Sequence, residues 1–268
     1  MPTLDVDDRR LSYEETGAGP VALLVHGSPG NARAWARVGE RLAGRFRVIA
    51  PDLPGYGETT HQPEAEGPDV TFGCELIEAL VRYVGPPAVL AGHSYGGVVA
   101  LAVGLRGRVP VGALALFEPV AVPALAMAGE PDAYAAAKTV FDDYIARAGA
   151  GDHGAVRTMV DFWFGAGAFA RMPEPLTAYM MKETASNVRD VTATFRQRYS
   201  VEALGKLRMP VTMVVGARSP EVTRRIAQAI ARHVPHGSVQ TLEGANHALT
   251  TTHADAVAEA IAGAASRG

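Results

Sequence analysis

Short continuous apolar runs alternate along the chain with stretches whose apolar residues recur at helical spacing. Val21-Ala-Leu-Leu-Val25 is apolar throughout, as expected of a strand covered on both faces. Phe46–Ala50, Ala88–Ala91, Val111–Phe117, Pro210–Val215 and Ser238–Leu242 read as further strands, and the weak alternation over Arg10–Glu15 as an edge strand. Between them the pattern predicts helices. One spans Asn31–Ala43 with Asn31 as N-cap; another follows Asp69 to Val84 with Leu76, Leu80 and Val84 on one face. An apolar helix runs from the Gly92–Gly97 turn to about Arg106, and others cover Glu221–His233 and Ala254–Ala265. Glu58–Pro68 reads as a polar loop. Such alternation predicts an α/β protein with a doubly wound, mostly parallel sheet.

Residues 119–207 break the rhythm. No strand pattern occurs there, and apolar residues fall at helical spacing: Tyr134, Phe141, Tyr144, Ile145; Val156, Val160, Trp163, Phe164; Leu176, Tyr179, Met180; Val188, Val191, Phe195. The expectation is an insertion of roughly four helices, dividing a core of residues 1–118 and 208–268.

Composition narrows the class. Of 268 residues, 48% are hydrophobic and 20% charged, the balance of a folded globular chain, and the net charge of −3 comes with no Lys/Arg cluster, which argues against nucleic acid as a partner. Cys74 is the single cysteine, so disulfides within the chain and cysteine-rich metal sites are excluded. Met1–Arg10 lacks the apolar segment of a signal peptide. The longest apolar stretch, Val109–Gly129, contains three prolines and Glu118 and suits a buried strand and loop better than a membrane span. The expectation is a soluble, cytoplasmic protein without a membrane partner; the oligomeric state is open.

Gly92-His-Ser-Tyr-Gly-Gly97 fits G-x-S-x-G between a predicted strand and a predicted helix, the context the motif requires. Ser94 would sit on a tight turn at a helix N-terminus, where developing negative charge is favoured. His26-Gly-Ser-Pro-Gly30 follows a buried strand and can aim the Ser28 N–H at a substrate oxygen; the Tyr95 N–H would be the second oxyanion donor. The His26 side chain itself is expected to make local hydrogen bonds. Among eight histidines, His247 in Gly244-Ala-Asn-His247 follows the last strand, at the same sheet edge as Ser94, and is the candidate base.

His26-Gly-Ser-Pro-Gly30, Asp52-Leu-Pro-Gly-Tyr-Gly57, Gly92-His-Ser-Tyr-Gly-Gly97 and Gly244-Ala-Asn-His247, in this order, resemble the α/β-hydrolase superfamily. The resemblance implies that the helical insertion is the family's cap. The family usually places its acid in a Gly-x-x-Asp turn after the penultimate strand; here that turn reads Gly216-Ala-Arg-Ser219. Some members, certain haloalkane dehalogenases among them, carry the acid one strand earlier. By that resemblance Glu118, in Phe117-Glu-Pro119, is the candidate acid; Glu221 is the competitor, and a plain cap-anchoring role for Glu118 is the third possibility.

Ser94, His247 and an acid suit acyl transfer through an acyl-enzyme. The expected partner is a small apolar ester or lactone, with no metal and no cofactor implied. Trp163, Met180 and Met127 are candidate pocket residues, Met being suited to irregular apolar shapes. A carbon–carbon bond hydrolase and a cofactor-free perhydrolase share the same triad. A slow or non-catalytic ligand receptor on this scaffold is the alternative from another class.

Overall fold

The computed structural model describes residues 1–61 and 67–268; positions 62–66 of the polar loop expected over Glu58–Pro68 lie outside the described residues. Eight strands form one sheet: β1 (Thr3–Val6), β2 (Arg9–Thr16), β3 (Val21–Val25), β4 (Arg47–Pro51), β5 (Val89–His93), β6 (Leu114–Phe117), β7 (Val211–Gly216) and β8 (Gly237–Leu242). Their order is β1-β2-β4-β3-β5-β6-β7-β8. β2 runs antiparallel to β1 and β4, and every pair from β4 through β8 is parallel. β2 is therefore not the edge strand expected from its weak alternation. The edge is β1, four residues whose exposed and half-buried positions alternate too faintly to read.

The apolar runs become strands because both faces of the sheet are covered. β3, β6 and β7 are buried at every position. One face packs under the helices Ala36–Leu42 and Ala254–Ala265 around Trp35, Phe46 and Ile261; the other packs under Val70–Val84, Tyr95–Arg106 and Glu221–Ala231. Asp69 caps the first of these last three, its side chain accepting from the Thr71 N–H. Asn31 caps as expected, accepting from Arg33, but the segment begins as a 3₁₀ turn over Ala32–Trp35 before the α-helix.

Every regular element between β6 and β7 is helical, as an inserted cap. Seven α-helical segments occur there rather than four: Pro123–Met127, Pro131–Gly149, Val156–Phe164, Ala168–Arg171, Glu174–Lys182, Thr184–Arg196 and Val201–Leu204. Glycines at 129, 151, 165 and 167 with positive φ, and Pro131 and Pro173 near helix starts, cut the apolar period into shorter pieces. Among the described residues no helix is long and apolar enough to cross a membrane.

Strand order sets the position of the site. From β3 the chain steps to β4 on one side; from β5 it steps to β6 on the other. The reversal point lies between the carboxyl ends of β3 and β5, where open parallel sheets bind ligands. The loops after β3 and β5 carry Ser28 and Ser94.

Candidate active site

Ser94 follows β5 directly with φ 54° and ψ −120°, a conformation that costs energy in any residue with a side chain. The turn survives because its neighbours are glycines. A Cβ on Gly92 would strike the Gly96 carbonyl, and one on Gly96 would strike the carbonyls of Val25 and His26. Strand register brings the next group alongside. His93 pairs with Phe117, so Ser94 and Glu118 are each one residue beyond the same rung; the Ser94 N–H donates to Phe117 O at 3.0 Å. Glu118 also has positive φ, 46°, and its own N–H donates to Val214 O at 2.8 Å. Two strained residues thus sit side by side at the end of the sheet.

His247 completes the cluster from the loop after β8. Its Nε2 lies 3.2 Å from Ser94 Oγ and its Nδ1 2.6 Å from Glu118 Oε2. All three side chains are buried. The other carboxylate oxygen of Glu118 accepts from the Gly216 N–H at 2.6 Å and from the Ser219 hydroxyl. Burial alone would raise this carboxyl. The hydrogen bond from His247, its charge, and the donors at Ser219 and Gly216 outweigh burial and hold it below the usual carboxylate range. Ser219, at the place where the family's acid usually stands, therefore serves as a donor to a carboxylate borne by the neighbouring strand. Glu221 is exposed and pairs with Arg224.

His26 and His93 are held by hydrogen bonds to the backbone. His26 Nε2 accepts from the Leu53 N–H at 2.8 Å while Nδ1 donates to Gly27 O at 2.7 Å, and burial lowers its pKa to about 4. His93 donates from Nε2 to the His247 carbonyl at 2.9 Å; burial, then the nearby His247, lower it to about 3. That bond ties the nucleophile turn to the base loop. Cys74 is buried, which pushes its thiol up to about 12 and removes it from any reactive role.

Among the described residues, neither the Ser28 nor the Tyr95 backbone N–H is engaged by a protein acceptor. Both residues flank Ser94 in one small cavity. A polar network that sequence inspection missed fixes the Ser28 loop. Tyr144 OH donates to Asn187 Oδ1 at 2.6 Å, Asn187 Nδ2 donates to Ser28 Oγ at 2.8 Å, Ser28 Oγ lies 2.8 Å from Tyr56 OH, and Tyr56 OH donates to Asp190 at 2.8 Å. Every step runs toward the Asp190 carboxyl, linking cap and core. The network draws on four separate stretches of the chain, and only the polar Asn187 and Asp190 amid the apolar period of Thr184–Arg196 hinted at it.

Burial pushes Asp190 up to about 7, against hydrogen bonds from Ser28, Tyr56 and Tyr95 and the charge of Arg189. An acid raised in this way holds a proton in the folded chain that the unfolded chain has already released. This group therefore makes stability fall as pH rises from about 4 to about 7. The fall in Tm across that window is expected to be shallower for Asp190→Asn than for the wild type; parallel melting curves would show that Asp190 does not titrate there.

A cavity of about 460 Å³ opens over Ser94 and His247 and is lined on the cap side by Met159, Phe164, Met172 and Met180. Trp163 is set deeper, stacked on the His247 ring at 5.6 Å and packed against Phe141 and Phe162. Met127 lines neither cavity; its short helix, following Pro123, leaves it against the main apolar core. Among the described residues no cluster of His, Cys, Asp and Glu could hold a metal ion.

The profile of the "Alpha/beta hydrolase family" matches residues 22–260. The chain belongs to this family. Its fold is the α/β-hydrolase fold with an inserted helical cap. It is 35% identical over 124 residues to the bifunctional epoxide hydrolase 2 of Rattus norvegicus, a match covering 46% of this chain and 20% of that protein. The chain thus spans only a fifth of this relative's length. It is 26% identical to the (E)-2-((N-methylformamido)methylene)succinate hydrolase of Acinetobacter baylyi, over 97% of this chain and 95% of that one. Among solved structures, a thermophilic esterase from Thermogutta terrifontis superposes with a TM-score of 0.73 at 26% identity, covering 95% of this chain and 92% of that one.

Proposed function

We propose that the protein is a serine hydrolase that cleaves a carboxylic ester or lactone bearing an apolar moiety. Ser94 is the nucleophile, His247 the general base and Glu118 the acid; the N–H groups of Ser28 and Tyr95 form the oxyanion hole, and residues 119–207 form the cap. The observation that carries this reading is the continuous line from Ser94 Oγ to His247 (3.2 Å) to Glu118 (2.6 Å), below an apolar cavity.

The chemistry is set by proton positions. With Nδ1–H donated to Glu118, Nε2 of His247 carries the lone pair that takes the Ser94 proton as Oγ attacks the carbonyl carbon. Glu118, held ionised by its donors, stabilises the imidazolium that results. The carbonyl oxygen gains charge at the helix N-terminus beside the Ser28 and Tyr95 amides. The imidazolium then protonates the leaving alcohol, and water repeats the cycle on the acyl-enzyme. A Ser nucleophile, where the family's dehalogenases and epoxide hydrolases use Asp, supports acyl transfer over those chemistries. The esterase likeness at 26% identity agrees with it.

The test is a substrate panel. p-Nitrophenyl butyrate and short lactones should turn over, while β-diketones and peroxide-dependent halogenation should not; turnover of a β-diketone alone would make the protein a carbon–carbon bond hydrolase. In the same panel Met180→Ala is expected to shift the preferred acyl length upward. Trp163→Ala is a poor probe of preference, since truncating a buried tryptophan costs about 3–5 kcal/mol.

A further inference from the structure

A second cavity, about 20 Å³, lies on the cap side of Ser94, walled by Ser28, Tyr95, Asn187, Asp190 and Thr194 among others. This is room for one water, which needs roughly 10–15 Å³ and two to four polar partners. Thr194 is 3% exposed, and its hydroxyl finds no partner among the described residues. A buried hydroxyl in that state is costly. Helical threonines ordinarily bond back to the carbonyl four residues earlier, as Thr192 does to Val188 at 2.7 Å; Thr194 makes no such bond and lines the cavity instead. Asn187 spends one N–H on Ser28 Oγ and has a second to give. Asp190 supplies an acceptor on the same wall.

We propose that this cavity binds a single water molecule that serves as a third donor to the substrate's carbonyl oxygen. The water accepts from Thr194 and Asn187 and donates one hydrogen to Asp190; its other hydrogen faces the oxygen that the Ser28 and Tyr95 amides hold. The cap thereby contributes to transition-state stabilisation without placing a side chain on the reacting atoms, and Thr194 is a positioning residue. The inference rests on the esterase reading for its catalytic part and on the cavity alone for the water.

Thr194→Val keeps the shape and removes the hydroxyl; Thr194→Ser keeps the hydroxyl. With p-nitrophenyl butyrate, Thr194→Val is expected to lose about tenfold in kcat with little change in KM, less than the roughly 10²–10³-fold carried by a direct donor. Its Tm should fall, because a satisfied hydrogen bond is lost. Thr194→Ser should recover most of the kcat. Unchanged kcat with a raised Tm for Thr194→Val would mean a dry cavity and an orphaned hydroxyl, and the proposal would be wrong. A serine variant as slow as the valine variant would assign the effect to packing and overturn it equally. A wild type that cleaves no ester would remove the donor role together with the esterase reading, while the Tm comparison would still decide whether water is bound.

Discussion

Ser94→Ala is expected to abolish turnover of p-nitrophenyl butyrate, with a loss on the order of 10⁶-fold in kcat and a fold intact by circular dichroism. The size of the effect is a consequence of the geometry. Ser94 is buried at a positive-φ turn, 3.2 Å from His247 Nε2, and among the described residues no other serine hydroxyl is hydrogen-bonded to that ring. Ser28, the other serine at the site, bonds through its hydroxyl to Tyr56 and Asn187 and is positioned to offer its backbone N–H. A fluorophosphonate should therefore attach to Ser94 and spare Ser28, and intact-mass and peptide mapping would show it. An adduct on Ser28 with Ser94 untouched would reverse their roles. Alanine at 94 should also ease the backbone little, since its Cβ meets the same steric limit as that of serine.

Glu118→Gln is the second large effect. It should lower kcat by about 10⁴-fold, the cost of losing a triad carboxylate that orients the imidazole and stabilises its protonated form. Glutamine can still accept from Gly216 and Ser219 through its carbonyl oxygen, but it would present an amide N–H to His247 Nδ1. That favours the tautomer with the proton on Nε2, which cannot accept from Ser94. Glu221→Gln should leave kcat within about twofold, as expected of an exposed charge paired with a neighbouring arginine. Collapse of Glu221→Gln with Glu118→Gln near wild type would move the acid to the later strand. Because several donors hold Glu118 ionised, the acid limb of kcat/KM is expected to be set by a group other than Glu118.

Much of this arrangement was legible in the chain because it depends on local rules. A continuous apolar run marks a strand covered on both faces, and the glycines at 92 and 96 mark a turn in which any Cβ collides with backbone. The departure at Ser219 was legible as well, although what Ser219 does in place of an acid, donating to the carboxylate of the next strand, was not: that contact joins residues 101 positions apart. The number of cap helices was misjudged because periodicity continues across a glycine break, and only positive φ at Gly165 and Gly167 separates Val156–Phe164 from Ala168–Arg171. β1 escaped because an edge strand is held by its ladder to β2 rather than by apolar burial. The Tyr144–Asn187–Ser28–Tyr56–Asp190 network joins two cap helices to two loops of the core, and no spacing in one dimension announces it.

With the acid carried by β6, the proposed nucleophile, acid and both oxyanion amides all precede residue 119, and only the base comes from beyond the cap. Severing the chain within the cap would therefore yield two unequal halves, one bearing every reacting group except the imidazole. The two sheet fragments meet along a single parallel seam, Leu114 to Phe117 against Val211 to Val214. Hydrolysis by co-expressed halves would then report on the zipping of that seam and on the docking of Ala254–Ala265 beside Ala36–Leu42, making the scaffold a split reporter whose signal is an enzyme's own turnover.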